Sequence, residues 1–267
     1  MFLRVDTSKR YGLEFGKIFM PVTIFDTSLK NHPIADIHYK TEWQIVEVGG
    51  MRLNVTALQN VEESIDQVIG WLEQKGADPA EIENLAPYFG VIWPAAIALC
   101  AYLAQPEIKK QLSGKKIIEL GCGLALPSII CAKAGGLCVA VDNHPNVPGF
   151  LHKNVEQNEP VQVTFLTPGE LSQFSYEEEN KFDWIIASDV LYDRDLARIF
   201  TDMVCKLAAP KARFVLTDPG RAYIQEFVNS MAARGWNHEL QAWKVPQTAK
   251  GLGISSDIFV LIFERAG

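Results

Sequence analysis

The chain has 267 residues, 48% hydrophobic and 21% charged, enough to bury one domain core with an extension and ordinary for a soluble globular protein. Its net charge of −7 argues against a protein that grips nucleic acid through a broad basic surface. Five cysteines without a Cys-x-x-Cys pair and five histidines without metal-ligand spacing point to reduced core thiols, a cytoplasmic setting and no metal site.

Residues 1–10 are too polar for a signal peptide. Ile18 to Phe25 reads as a strand, with Pro21 favouring an edge position. Glu42 to Val48 and Met51 to Val55 alternate apolar and polar residues around Gly49-Gly50, a β-hairpin signal. Asn60 then suits a helix cap, with Glu63 three residues on, and Val61, Ile65, Val68, Ile69 and Leu72 carry helical spacing. A second short helix is expected near Pro79. No low-complexity linker follows, so residues 1–84 are read as an extension packed on a main domain at 85–267.

Pro87-Tyr-Phe-Gly-Val-Ile-Trp93-Pro94 leads into an apolar helix from Ala95 to Ala104. These aromatics either join the core or form one wall of a ligand pocket. The apolar run Val91 to Ala104 is broken by Pro94 and falls short of the roughly 20 residues a membrane span needs. From Lys116 onward strands are expected at 116–120, 137–142, 161–166, 182–188, 212–217, 238–244 and 256–264. Helices are expected at 126–134, 146–157, 194–208 and 221–234. Such alternation predicts an α/β, Rossmann-like, seven-stranded, mostly parallel sheet with helices on both faces. The last two strands are joined only by a turn-rich loop, Pro246 to Ser255, and should form an antiparallel hairpin at one edge.

The stretch Lys116-Ile-Ile-Glu119-Leu-Gly121-Cys-Gly123-Leu-Ala-Leu-Pro127 reads as a buried strand, a sharp glycine turn and a helix start. The third position of a dinucleotide-binding Gly-x-Gly-x-x-Gly is Leu126, and no Gly-Lys-Ser/Thr phosphate loop is present. Glu119 would repel a pyrophosphate and suit a cationic amino group. Asp142 closes the next apolar run, 21 residues after Gly121, where an acidic side chain takes ribose hydroxyls. A ribose, no phosphate and a cationic amino-acid end describe S-adenosylmethionine.

Phe182-Asp-Trp-Ile-Ile-Ala-Ser188-Asp189-Val-Leu-Tyr192-Asp193 is the second informative stretch. Its strand should neighbour the glycine-turn strand, so that Asp189 faces the ligand's methyl group. A carboxylate there can hold and orient an amine, and a tyrosine face can accept cationic character. Capping of a turn by Asp189 and packing of Tyr192 at the strand end are the bland alternative. Asp218 in Thr217-Asp218-Pro219-Gly220-Arg221 suits a helix cap, with Arg221 at a pocket edge able to meet an acidic substrate.

Glu119-Leu-Gly-Cys-Gly, Val141-Asp142 and Ser188-Asp189-Val-Leu-Tyr192 resemble the seven-β-strand, class I methyltransferases with an Asp-x-x-Tyr motif, a group that includes many protein-lysine methyltransferases. Pro87 to Pro94, Tyr192-Asp-Arg-Asp-Leu and Asp218-Pro-Gly-Arg221 look most like those acting on the electron-transfer flavoprotein β subunit and their bacterial relatives. The resemblance covers about residues 85–265. It implies that Trp93, Gly121, Gly123 and Asp142 contact S-adenosylmethionine. It also places Thr167 near the adenine and Ser188 near the methionine end, with Asp189 and Tyr192 forming the methyl-acceptor site. Ala125 stands where many members carry a third glycine, and Thr167-Pro168 replaces a common Asp-Trp pair.

The expectation is therefore an S-adenosylmethionine-dependent N-methyltransferase acting on a protein lysine. The rivals are the same chemistry on a small amine or a nicotinamide-like pyridine, and a non-catalytic interaction protein that keeps the fold.

Overall fold

The computed structural model describes residues 34, 37–76, 78, 81–173, 177–245 and 257–265. The strand expected at Ile18 to Phe25 and the whole of the loop Pro246 to Ser255 lie outside them.

The described chain opens with the expected hairpin, β1 (Thr41–Val48) and β2 (Met51–Leu58), paired antiparallel. Gly49 and Gly50 take φ of +53° and +75°, the left-handed pair that a two-residue turn of matching twist requires. Asn60 caps α1 (Val61–Lys75) by accepting the Glu63 N–H at 3.1 Å. The Glu63 carboxylate does not complete a reciprocal cap. It pairs instead with Lys40, reaching back over the hairpin at 3.1 Å. The short helix expected near Pro79 is a single turn, α2 (Ile82–Leu85).

Pro94 opens α3 (Pro94–Leu103), where its missing N–H costs nothing. A further helix that periodicity did not show, α4 (Pro106–Leu112), leads to β3 (Lys116–Leu120). Then follow α5 (Leu126–Lys133), β4 (Leu137–Val141), α6 (Val147–Glu156), β5 (Val163–Leu166) and the short α7 (Pro168–Ser172). The chain continues through β6 (Phe182–Ser188), α8 (Arg194–Leu207), β7 (Ala208–Asp218), α9 (Ile224–Ala232), β8 (Trp236–Lys244) and β9 (Asp257–Arg265).

The sheet has seven strands in the order β5-β4-β3-β6-β7-β9-β8. The first five are parallel, and β9 pairs antiparallel with both β7 and β8. The chain is thus a Rossmann-like α/β fold with an antiparallel C-terminal hairpin, as read from the sequence. Strand order reverses between β3 and β6, the switch point at whose carboxyl ends sheets of this kind take their ligands.

Apolar residues cover both faces of the sheet. Ile117, Ala140, Trp184 and Ile186 pack under α3, α5 and α6, with Leu53 and Val55 of the hairpin on the same side. Ile118, Val139, Ile185 and Phe214 pack under α8 and α9. Amide side chains seat the hairpin on α6. Thr56 N–H donates to Asn154 Oδ1 at 2.7 Å, Asn54 N–H to Asn158 Oδ1 at 3.1 Å, and Asn158 Nδ2 back to Asn54 O at 2.7 Å.

Candidate active site

β3 ends in the glycine turn beside the switch point. The N–H groups of Gly121 and Cys122 both donate to Val141 O, at 2.9 and 3.0 Å. Gly123 N–H donates to Asp142 Oδ2 at 2.9 Å, and His144 N–H to Asp142 Oδ1 at 3.0 Å. Asp142 therefore ties the end of β4 to the turn of β3. Burial raises its pKa, opposed by the backbone N–H groups of His144, Gly123 and Asn143.

Gly121 and Gly123 have φ of +69° and +48°. A Cβ on Gly121 would lie 2.8 Å from Val190 Cγ1, and one on Gly123 would lie 2.9 Å from Phe89 O. The space the glycines leave is thus filled by the chain itself, by the β6 loop on one side and the aromatic segment on the other. Ala125, in place of a third glycine, takes φ +59° despite its Cβ.

Glu119 sits beneath this turn and is 1% exposed. Its Oε2 accepts from Ser128 N–H at 2.9 Å and from Ser128 Oγ at 2.5 Å. The carboxyl thereby occupies a donor at the start of α5, which leaves the helix a poor seat for a phosphate. Burial pushes its pKa up to about 8, with the nearby charge of Asp142 adding to the rise. Its Oε1 is buried and has no hydrogen-bond partner among the described residues. Glu119 is thus enclosed, with Oε1 its one unpartnered oxygen among the described residues.

Thr167, expected near the adenine, has a local role in the fold. It caps α7 reciprocally, Oγ1 accepting from Glu170 N–H at 3.1 Å while its own N–H donates to Glu170 Oε2 at 2.8 Å. The hydroxyl is committed to the helix start, a common fate of threonine before proline. Trp93 precedes α3, with its Nε1–H on Tyr88 O at 2.9 Å and its ring 6.4 Å from that of Tyr88. Phe89 lies 4.3 Å from the His144 ring, so the aromatic segment covers the turn after Asp142.

Ser188 ends β6, opposite Thr217 of β7. Asp189 then turns out with φ +63°, a conformation uncommon for a residue with a Cβ. Its N–H donates to Thr217 O at 2.9 Å. Val190 and Leu191 are buried, while Tyr192 is 66% exposed on the rim. Partial loss of solvent around the ring raises the Tyr192 pKa, with the charges of Asp142 and Asp193 adding to the effect.

Sequence reasoning missed the partner of Asp189. Its Oδ1 pairs with Arg221 Nη1, and the same nitrogen lies 3.3 Å from Asp218 Oδ2. Asp218 does not cap α9. It accepts the N–H groups of Gly220 and Arg221, both at 2.8 Å, and so fixes the turn before the helix. The signal was the Asp-Pro-Gly-Arg run itself, in which a turn aspartate and an arginine three residues apart come onto one side. Asn154 was also missed. Its Nδ2 donates to Leu124 O inside the glycine turn at 3.2 Å, and its i, i+4 spacing from Asn158 marks one helix face.

These residues suit the ligand inferred from the sequence. An unpartnered buried carboxyl oxygen, a second acid beside the glycine turn and a helix start already filled by a carboxyl fit a cationic nucleoside better than a phosphate.

Known proteins agree with this geometry. A family model described as lysine methyltransferase matches residues 82–233. The chain is 35% identical over 108 residues to the protein N-lysine methyltransferase METTL21A of Danio rerio, covering 38% of this chain and 47% of that protein. It is 27% identical over 167 residues to the electron transfer flavoprotein beta subunit lysine methyltransferase of the same fish, covering 61% of this chain and 60% of that protein. It thus spans about half the length of these relatives. Among solved structures, the Thermus thermophilus 16S rRNA N2 G1207 methyltransferase in complex with AdoMet and guanosine superposes with a TM-score of 0.55. That match has 17% identity over 86% of this chain and 52% of the other. The last comparison shows the fold alone. The family model spans more than half of the residues, and the chain belongs to the lysine methyltransferase family.

Proposed function

We propose that the protein is an S-adenosylmethionine-dependent N-methyltransferase whose acceptor is a lysine side chain of another protein. The observation that carries this reading is the placement of Asp142 and Asp189 on either side of the glycine turn, at the switch point of a family-matched sheet.

Bound S-adenosylmethionine would supply an electrophilic methyl group on a sulfonium sulfur. The chain's own work is to bind, orient and discharge. Asp142 would take ribose hydroxyls, and Glu119 Oε1 would accept from the ligand's amino group. Trp93 and Ser188 would border the ligand's two ends, and Gly121 and Gly123 give the floor its shape. Asp189 would receive the acceptor amine and Tyr192 its cationic face. A lysine amine has a pKa of about 10.4 and must shed a proton before it can attack, so placement beside a carboxylate and a phenol is the main contribution. The exposure of Tyr192 favours a protein side chain reaching in from outside over a small molecule enclosed in a pocket. Five free thiols, four of them buried, support a reducing compartment such as the cytoplasm. No helix among the described residues is long and apolar enough to cross a membrane.

The test is incubation with isotope-labelled methyl donor and lysate, followed by mass spectrometry of the labelled site, beside calorimetry with S-adenosylhomocysteine. Label on a lysine Nζ is expected. Asp189→Ala should abolish transfer yet bind S-adenosylhomocysteine within about twofold of wild type. Asp142→Ala should weaken that binding by about 1.5–3 kcal/mol, the scale of hydrogen bonds to a charged group. A wild-type protein that ignores S-adenosylhomocysteine would sink the reading.

A further inference from the structure

Arg221 holds the carboxylate that the acceptor needs. Its backbone is fixed, because its N–H and that of Gly220 both donate to Asp218 Oδ1. Its side chain is held differently. Among the described residues only Nη1 makes the contacts, to Asp189 Oδ1 and Asp218 Oδ2. Arginine ordinarily meets carboxylates with two parallel N–H bonds. Here a single cationic group lies between two carboxylates, a place a primary ammonium can also take.

The layering points the same way. The side chain of Asp218 is 0% exposed, that of Asp189 12% and that of Arg221 30%. The two carboxylates lie behind the guanidinium, which an incoming group would meet first. Burial also lowers the pKa of Arg221, as expected of a cation held at some cost in solvation.

We propose that Arg221 is a resident cation that occupies the acceptor's place on Asp189 and swings aside only for another cation. This inference rests on the assignment of Asp189 as the acceptor carboxylate. Exchange of one cation for another keeps the charge balance over two buried acids. Departure of Arg221 without a replacement leaves Asp189 unpaired, a large penalty for a carboxylate so little exposed. A neutral pyridine or hydroxyl therefore cannot open the site, whereas an alkylammonium can. Arg221 is thus a specificity-determining residue that screens for positively charged acceptors. It also lowers apparent acceptor affinity by the fraction of time it spends out of the way.

The experiment is an NMR titration of the full chain with n-butylammonium chloride, with 1-butanol as its neutral twin. Arg221→Met should bind butylammonium at least about tenfold more tightly than wild type, because the ammonium then has no resident cation to displace. Its affinity for 1-butanol should not change. Arg221→Lys, which keeps a cation near both acids, should return to the wild-type value. Asp189→Asn added to Arg221→Met should erase the gain. Equal or weaker butylammonium binding by a folded Arg221→Met protein overturns the proposal. An equal gain for 1-butanol also overturns it, since that would mean only that space had been made. The wild-type protein supplies a check free of folding defects. Saturating butylammonium should shift the Arg221 Nε resonance toward that of a solvent-exposed guanidinium, and an unmoved resonance counts against displacement. None of these titrations needs cofactor. Failure to bind S-adenosylhomocysteine refutes the methyltransferase reading and leaves the cation exchange standing.

Discussion

Glu119 sets function against stability within a single side chain. Its carboxyl is buried, half satisfied by Ser128, and its pKa is pushed up from 4.5 to about 8. Because the folded-state value lies above the unfolded one, its stabilising balance is complete below about pH 4.5. That balance is lost as pH rises toward about 8. Glu119→Gln keeps an acceptor for Ser128 and removes the charge. The variant should gain about 2–4 kcal/mol over wild type at pH 8 in urea unfolding, the order set by a raised carboxyl pKa, and little at pH 4. It should also bind S-adenosylhomocysteine less tightly, the trade expected of a polar atom kept unpaired for a ligand. Equal stability at both pH values would show that the carboxyl is solvated. Gly123 is constrained by geometry alone. Gly123→Ala should cost about 2–4 kcal/mol, from a left-handed φ plus contact with the immovable Phe89 carbonyl. The check is the thermal midpoint, which should fall by several degrees.

At the scale of elements, the hairpin β1–β2 and the glycine turn are joined through one asparagine on α6. Asn154 accepts from Thr56 N–H and donates to Leu124 O. Asn154→Ala leaves both backbone groups without that partner and should cost about 2–4 kcal/mol. It should also weaken S-adenosylhomocysteine binding although Asn154 touches no ligand, because Leu124 belongs to the turn. Unaltered affinity in the variant would mean the turn holds its shape without the hairpin. The parallel strands, the hairpin and most helices were legible because apolar runs, Gly-Gly and Asn60 each carry a local signal. The misses share a physical cause. β7 begins at Ala208 rather than 212, since Pro210-Lys211 looks like a turn; the pairing with β6 accommodates these residues by a shift in register between Phe182 and Trp184. α4 and α7 are too short for periodicity to show. In the site, Asp142 and Asp189 stood out as acids closing apolar runs. The Asp-Pro-Gly-Arg run marked a turn, but the meeting of Arg221 with Asp189, 32 residues earlier, follows from the pairing of β6 with β7.

At the scale of the whole molecule, the sheet brings two unlike halves to one crevice. β3, β4 and β5 carry Glu119, the glycine turn and Asp142, while β6 and β7 carry Ser188, Asp189 and Asp218. A ligand at the switch point would touch both halves, whereas the antiparallel strands β9 and β8 lie beyond it. Binding to the folded state alone adds about 2.7 kcal/mol at a ligand concentration one hundred times Kd, a rise of roughly 5–10 °C for a domain of this size. Its distribution is the sharper prediction. S-Adenosylhomocysteine should slow amide exchange at residues 119–125, 142–147 and 188–193 together. Protection at 236–244 and 257–265 should change little, because those strands lie on the far side of β7 from the switch point. Slowing confined to the first two segments would place the ligand on one half only and remove Asp189 from its neighbourhood. Uniform slowing over the whole sheet would mean global stabilisation without a located site.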